Sequence, residues 1–372
     1  MMTKKKKILA VLSMMLSVGA FWIAYAGAVD LTPKEQLGKN LFFDTNLSEP
    51  AGQSCAACHA KNVGWTGPDQ DINSGGAVYM GAVPGVFGDR KPPAVAYAGD
   101  SPILHYRALW MGGMFWDGRA TGLTLGDPLA EQAQGPFLNP REQNNSTPEV
   151  VINKVLDSTY KDLFLQVCTD PATQYDCIGR SIAAYERSKE VSSYTSKYDY
   201  WLKGKAKLTG QERLGMTLFN GKAKCAQCHV YPNFTDYSYD NLGVPRNPLN
   251  PAYSWKPEAQ LWVDPGLGGF LKSIGQLAWE AEFGKHKVPT LRNVDLRPDS
   301  NFLKAYGHNG YFKSLEEIVH FYNTRDVNGA GWPPPEVAQN MNTTEVGNLG
   351  LNHVQELAIV AFLKTLSDGY IP

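Results

Sequence analysis

Two stretches of the chain repeat one arrangement of apolar and polar positions. Over residues 31–43, apolar side chains fall at Leu31, Leu37, Leu41 and Phe42 behind Thr32-Pro33, which predicts a helix that opens at the threonine. Residues 209–219, opening on Thr209-Gly210-Gln211-Glu212 and closing on Phe219, predict a matching helix. Each half closes with an amphipathic pattern, at residues 178–188 and 354–366. Shorter segments repeat as well: Phe87-Gly88-Asp89-Arg90-Lys91-Pro92-Pro93 is echoed by Phe283-Gly284-Lys285-His286-Lys287-Val288-Pro289, and Trp116-Asp117-Gly118 by His308-Asn309-Gly310. The chain thus reads as an internal duplication, two helical halves joined around residues 191–208.

Between these markers the sequence is punctuated by glycine and proline, 36 and 24 in all, so long loops are expected and little strand. At the start, Lys4 to Lys7 form a basic run, Ile8 to Ile23 an apolar one, and Ala24-Tyr25-Ala26-Gly27 a small-residue cleavage site. This predicts an export signal over residues 1–28, with an uncleaved membrane anchor as the alternative, and places the functional part in the periplasm. Membrane association is expected only if the signal is uncleaved. The 372 residues suffice for two domains, 29–200 and 201–372. A hydrophobic fraction of 43% with 19% charged residues is that of a soluble globular protein, and a net charge of −1 gives no basis for nucleic-acid binding.

The six cysteines carry the chemistry. Cys55-Ala56-Ala57-Cys58-His59 and Cys225-Ala226-Gln227-Cys228-His229 each set two thiols on one turn beside an imidazole. Thiols so spaced can add across the vinyl groups of a porphyrin while the histidine binds its iron, so two covalent c-type haems are expected. A redox dithiol or half a zinc site is the competing reading, and the immediate histidine in both copies weighs against it. Cys168 and Cys177 remain, flanking Thr169-Asp170-Pro171. In an oxidising compartment they most simply pair as a disulfide.

Together with these motifs, Phe115-Trp116-Asp117-Gly118-Arg119, Leu138-Asn139-Pro140-Arg141-Glu142, Lys287-Val288-Pro289-Thr290-Leu291-Arg292-Asn293 and the closing Phe362-Leu363-Lys364-Thr365-Leu366 resemble the bacterial di-haem cytochrome c peroxidase and MauG superfamily. The resemblance implies an all-α, loop-rich fold of two cytochrome c-like domains, each holding one haem. It makes His59 the proximal ligand of an open, peroxidatic iron in the first domain, Glu142 the distal acid that moves the proton of peroxide, and Gln132 a second distal polar residue. His229 would hold a six-coordinate second iron, and Trp116 would lie between the two haems as a relay. Where the peroxidase branch has a methionine as the opposite ligand, this chain reads Ile318-Val319-His320-Phe321-Tyr322-Asn323. Tyr322 there matches the MauG-like branch, in which an anionic oxygen stabilises a more oxidised iron; His320 and Met341 are the alternatives. Arg90, Arg119 and Arg292 are implied partners of haem propionates, because a guanidinium fork suits a carboxylate. His105 is a further candidate for the wall of the first haem pocket.

Two departures matter. Lys91 stands where the family has an asparagine that helps bind calcium between the haems, and a cation there argues against calcium or demands other ligands. Lys222-Ala223-Lys224 precedes the second haem motif, where MauG has a surface tryptophan, which leaves Trp201, Trp255, Trp262, Trp279 and Trp332 as unranked exits. The resemblance implies a periplasmic oxidoreductase that uses hydrogen peroxide to reach a high-valent di-haem state and oxidises a Trp or Tyr of a protein partner. Two alternatives stand beside it: a cytochrome c peroxidase fed by a small cytochrome or cupredoxin, and a non-catalytic di-haem electron carrier.

Overall fold

Helix order follows the capping signals. The computed structural model describes residues 29–256, 258 and 261–372, so the expected export signal at 1–28 lies outside the described residues. The helices are α1 (Pro33–Phe43), α2 (Gln70–Ser74), α3 (Pro128–Leu138), α4 (Pro148–Leu156), α5 (Lys161–Val167), α6 (Gln174–Arg187), α7 (Lys197–Leu202), α8 (Gly210–Asn220), α9 (Ala252–Trp255), α10 (Gly266–Ser273), α11 (Leu315–Thr324) and α12 (His353–Lys364). α1 and α8 open with the same device: the Thr32 or Thr209 hydroxyl accepts from the third backbone N–H, while Glu35 or Glu212 bonds back to the cap. Strand is confined, among the described residues, to two antiparallel pairs of two-residue strands, His105–Tyr106 with Trp110–Met111 and Tyr239–Asp240 with His286–Lys287.

Residues 31–372 form one unit with two principal apolar cores. In the first, α1 and α3 lie against α6, burying Leu37, Leu41, Phe137 and Ile182; in the second, α8 and α11 lie against α12, burying Phe219, Phe321, Ile359 and Phe362. Both crossings depend on one glycine. A Cβ on Gly38 would fall on the Ser181 carbonyl of α6, and a Cβ on Gly215 would fall on the Ala358 carbonyl of α12. Only a residue without a side chain lets either pair of helices approach this closely.

The loops repeat the duplication. An antiparallel bridge between Met114 and Ala120 closes the turn at Trp116-Asp117-Gly118, and one between Tyr306 and Phe312 closes His308-Asn309-Gly310. Gly118 and Gly310 both have positive φ, 77° and 65°, which explains the glycine at the third position of each turn. The segment expected to join the halves contains α7, whose cap Ser196 holds Asp199; that buried carboxylate reaches Arg292. Cys168 and Cys177 are disulfide-bonded, linking the end of α5 to α6.

Candidate functional site

Each Cys-x-x-Cys-His motif folds as a short 3-10 turn, Cys55–Ala57 and Cys225–Gln227, with the second cysteine as its cap. The four cysteines remain unpaired, and burial keeps their thiols protonated: Cys58, Cys225 and Cys228 are each pushed up to about 12. The following imidazoles are fixed in one tautomer. His59 Nδ1 faces the Trp65 carbonyl at 3.2 Å and His229 Nδ1 the Phe234 carbonyl at 2.8 Å. A carbonyl can only accept, so Nδ1 carries the proton and Nε2 keeps the lone pair a metal needs. Burial lowers both imidazoles, His59 to about 4, so each is neutral at physiological pH.

The two motifs open onto separate cavities. The first, of about 680 Å³, is lined by Cys55, Cys58, His59, Glu142, Gln132 and Trp116, a size suited to a cofactor. The second is lined by Cys225, Cys228, His229, Tyr322, Lys91 and, again, Trp116. The donor set of two thiols and a neutral imidazole at each cavity fits a covalently held haem. Trp116 stands in both walls, its indole N–H donating to the Lys91 carbonyl at 2.8 Å.

In the first cavity, Glu142 follows the end of α3, and Asn139 Nδ2 donates to its Oε1 at 3.2 Å. Burial raises the Glu142 carboxyl above the ordinary glutamate range, with Arg119 partly offsetting it. Gln132, on α3, shares the same wall. Glu186 on α6 lines it too, with one carboxylate oxygen unpartnered, and burial raises it to about 8. Sequence reasoning missed Glu186; the available signal was an acidic residue four positions after the buried Ile182 on the apolar face of α6.

In the second cavity the alternatives to Tyr322 lie elsewhere. His320 is half exposed and paired with Glu356 at 2.9 Å, and Met341 packs by the Gly243 turn; neither lines the cavity. Burial pushes the Tyr322 phenol up, so coordination to a cation has to displace its proton.

The three arginines divide. Arg119 reaches the first cavity with its Nη1 on Asp117 at 2.8 Å and its guanidinium 3.8 Å above the Phe115 ring. Arg90 also lines that cavity, but Asp264 and Asp117 close its fork at 2.6 to 2.7 Å. Arg292 lines the second cavity, and its fully buried fork is held bidentately by Asp199 at 2.9 and 3.0 Å, with Nε on the Pro232 carbonyl, so it also braces α7. His105 corrects the expectation that it walls the first cavity, since it lies in a strand with Nδ1 on the Ile103 carbonyl and does not line that cavity. His286 and His308 are buried and stack at 3.6 Å.

Calcium does not fit beside Lys91. Lys91 Nζ is buried and donates to Thr66 Oγ1 at 2.8 Å and the Pro92 carbonyl at 3.0 Å, while Lys304 Nζ donates to the Asn293 and Leu296 carbonyls. Burial, with the neighbouring Lys91, lowers Lys304 well below its usual value. These four oxygens are already taken by lysine N–H donors, so they are not free for a hard divalent ion. Among the described residues no helix is long and apolar enough to cross a membrane.

Comparison with known proteins agrees with this geometry. The profile of the family "Di-haem cytochrome c peroxidase" matches residues 32–207. The chain is 34% identical to methylamine utilization protein MauG of Paracoccus denitrificans over 359 residues, covering 89% of this chain and 88% of that protein. It is 31% identical to cytochrome c551 peroxidase of Nitrosomonas europaea over 381 residues, covering 97% and 92%. Among solved structures, the diheme peroxidase BthA of Burkholderia thailandensis superposes with a TM-score of 0.77 at 30% identity, covering 92% of this chain and 87% of that one. A MauG-like protein associated with microbial copper homeostasis gives 0.68 at 26% identity, covering 91% and 90%. The chain belongs to the di-haem cytochrome c peroxidase and MauG family, and is a peroxidase-type oxidoreductase of that family.

Proposed function

We propose that this protein is a MauG-like enzyme: hydrogen peroxide oxidises it, and it in turn oxidises a Trp or Tyr side chain of a protein partner. Two haems, attached through Cys55 and Cys58 and through Cys225 and Cys228, would supply the two-electron reduction of peroxide and hold the resulting oxidising equivalents. The protein's own groups do the rest. Glu142, oriented by Asn139, takes the proton from one peroxide oxygen and returns it to the other as the bond breaks. Gln132 shares that wall and can hydrogen-bond the incoming peroxide. Trp116 occupies the partition between the cavities, where its indole can pass electrons singly. Residues 1–28, read as an export signal, would deliver the chain to the periplasm, where c-type haem is attached.

The observation that carries the reading is Tyr322 in the wall of the His229 cavity, with Met341 and His320 outside it. A phenolate ligand favours a more oxidised iron, whereas a methionine raises the potential and suits a peroxidase that receives electrons. Electron paramagnetic resonance of the resting holoprotein, followed by addition of peroxide, tests it. Expected are one high-spin and one low-spin centre, the latter with tyrosinate-type anisotropy, and loss of both signals on peroxide; a methionine-type low-spin signal overturns it. The second reading, peroxide removal with electrons from a small redox protein, draws support from the likeness to cytochrome c551 peroxidase over 97% of the chain. The carrier reading gains no support from a first cavity furnished with an acid and an amide.

A further inference from the structure

Electrons from a protein partner need a path to the second cavity, and the five tryptophans left unranked by sequence differ in what lies over their rings. Trp255 is covered by the Arg141 guanidinium at 3.2 Å and the Lys256 ammonium at 4.6 Å. Lys256 also lies 4.7 Å from Trp262, and Lys272 lies 4.4 Å from Trp279. A fixed cation over an indole makes removal of an electron harder, because the product is itself a cation. Among the described residues no cation lies over Trp201 or Trp332. Trp332 is packed on Phe312 and Phe321, which are poor redox partners. Trp201 is packed on Tyr198 at 5.4 Å, and Tyr198 lies 5.6 Å from Phe234, whose carbonyl holds His229.

The surface over this cluster has its own character. Leu202, Val230 and Tyr231 are 47%, 45% and 55% exposed, and Tyr231 packs on Tyr198 at 6.4 Å. Val230 directly follows His229, so the apolar patch sits one residue from the second haem motif. Beside it, Lys203, Lys205 and Lys207 are exposed and form no ion pair among the described residues, in a chain whose net charge is only −1.

We propose that Trp201 is the residue through which electrons from the partner enter, and that the patch with its lysines docks an acidic protein surface around an oxidisable side chain. This deepens the function proposed above and rests on it. One hydrogen peroxide with two protons takes up two electrons to give two waters; the partner supplies them one at a time through Trp201, with no bond formed to the indole. The lysines act by attraction, so they set the encounter rate and its salt dependence.

Two synthetic peptides serve as probes, each with one tryptophan flanked on both sides by four glutamates or by four lysines. The holoprotein is oxidised with peroxide, and its return to the resting spectrum is timed with each peptide. The glutamate peptide is expected to act about tenfold faster at low ionic strength, with the difference collapsing in high salt. The combined Lys203→Glu, Lys205→Glu, Lys207→Glu variant should reverse that preference. Trp201→Phe should slow return about tenfold with salt dependence intact, and Trp201→Tyr should recover part of the rate. Equal rates with both peptides, or an unaffected Trp201→Phe variant, overturn the inference while leaving the function standing. A wild-type protein whose spectrum ignores peroxide removes the function, and the inference with it.

Discussion

Trp116 donates its indole N–H to the backbone carbonyl of Lys91 at 2.8 Å, and both residues lie in the walls of both cavities. The bond holds the ring in the wall the two cavities have in common, where the proposed relay needs it. Trp116→Phe removes this bond and the oxidisable ring but keeps an aromatic of similar shape. Leaving the Lys91 carbonyl unpaired costs about 1–3 kcal/mol, tolerable for a folded holoprotein. Peroxide is then expected to change the absorption of the first haem alone, whereas wild type responds at both. Simultaneous change at both haems in the variant would refute the relay.

As the proposed proton acceptor, Glu142 should set a pH limb. Its carboxyl is raised by burial, with Arg119 pulling the other way, so the ionised form that accepts a proton is lost as pH falls through a value above the ordinary glutamate range. Peroxide consumption should therefore fall on the acid side at a higher pH than a solvent-exposed glutamate would give. Glu142→Gln should lose that limb and run about a hundredfold slower at neutral pH, with both haems retained. Stopped-flow rates across pH measure both; an unshifted limb in the variant assigns it to another group.

The repeated pattern made much of the architecture legible. Thr32 with Pro33, and Thr209 three residues before Glu212, marked the openings of α1 and α8, and the thiol pairs with their histidines marked both cavities. What stayed hidden depends on contacts between distant segments. The carboxylate that holds Arg292 could not be read from sequence, because a guanidinium shows no preference among carboxylates there; only the fold brings Asp199, 93 positions away, into its fork. Glu186 was hidden because nothing in an amphipathic helix says whether a flanking acid meets water or a cavity. The exit tryptophans could not be ranked until the cations over three of them were seen.

Tyr322 lines the second cavity while His320, two residues earlier on α11, pairs with Glu356 at 2.9 Å. Tyr322→Met should raise the potential of the second haem by about 0.1 V or more, since an anionic oxygen gives way to a neutral thioether. His320→Gln should leave that potential and the low-spin resonance unchanged. Redox titration of the two variants side by side decides the matter: a shift in His320→Gln and none in Tyr322→Met would transfer the ligand role.

Lys91 and Lys304 donate to Thr66 Oγ1 and to the Pro92, Asn293 and Leu296 carbonyls, oxygens that are then not free for a divalent ion beside Lys91. Prolonged treatment with a calcium chelator is accordingly expected to leave the resting spectrum and the peroxide rate unchanged. Elemental analysis before and after treatment should find no stoichiometric calcium. A rate that falls with chelator and returns with added calcium would place an ion elsewhere in the structure.

Gly38 and Gly215 occupy matching positions in the two helix crossings, and each would drive a Cβ into the carbonyl of the opposing helix. Backbone cannot move aside as a flexible side chain can, so alanine must spread α1 from α6 or α8 from α12. Overpacking of this kind costs about 1–3 kcal/mol, more than the helix propensity gained by replacing glycine. Gly38→Ala and Gly215→Ala should each lower the unfolding midpoint. As a control, Gly210→Ala, at the exposed start of α8 where a Cβ meets open space, should be neutral or slightly stabilising. Because α8 and α12 frame the second cavity through Phe219, Ile359 and Leu363, Gly215→Ala should also perturb the spectrum of the second haem. Gly38→Ala should perturb the first. Equal stability of all three variants would show that the crossings have more slack than their geometry implies.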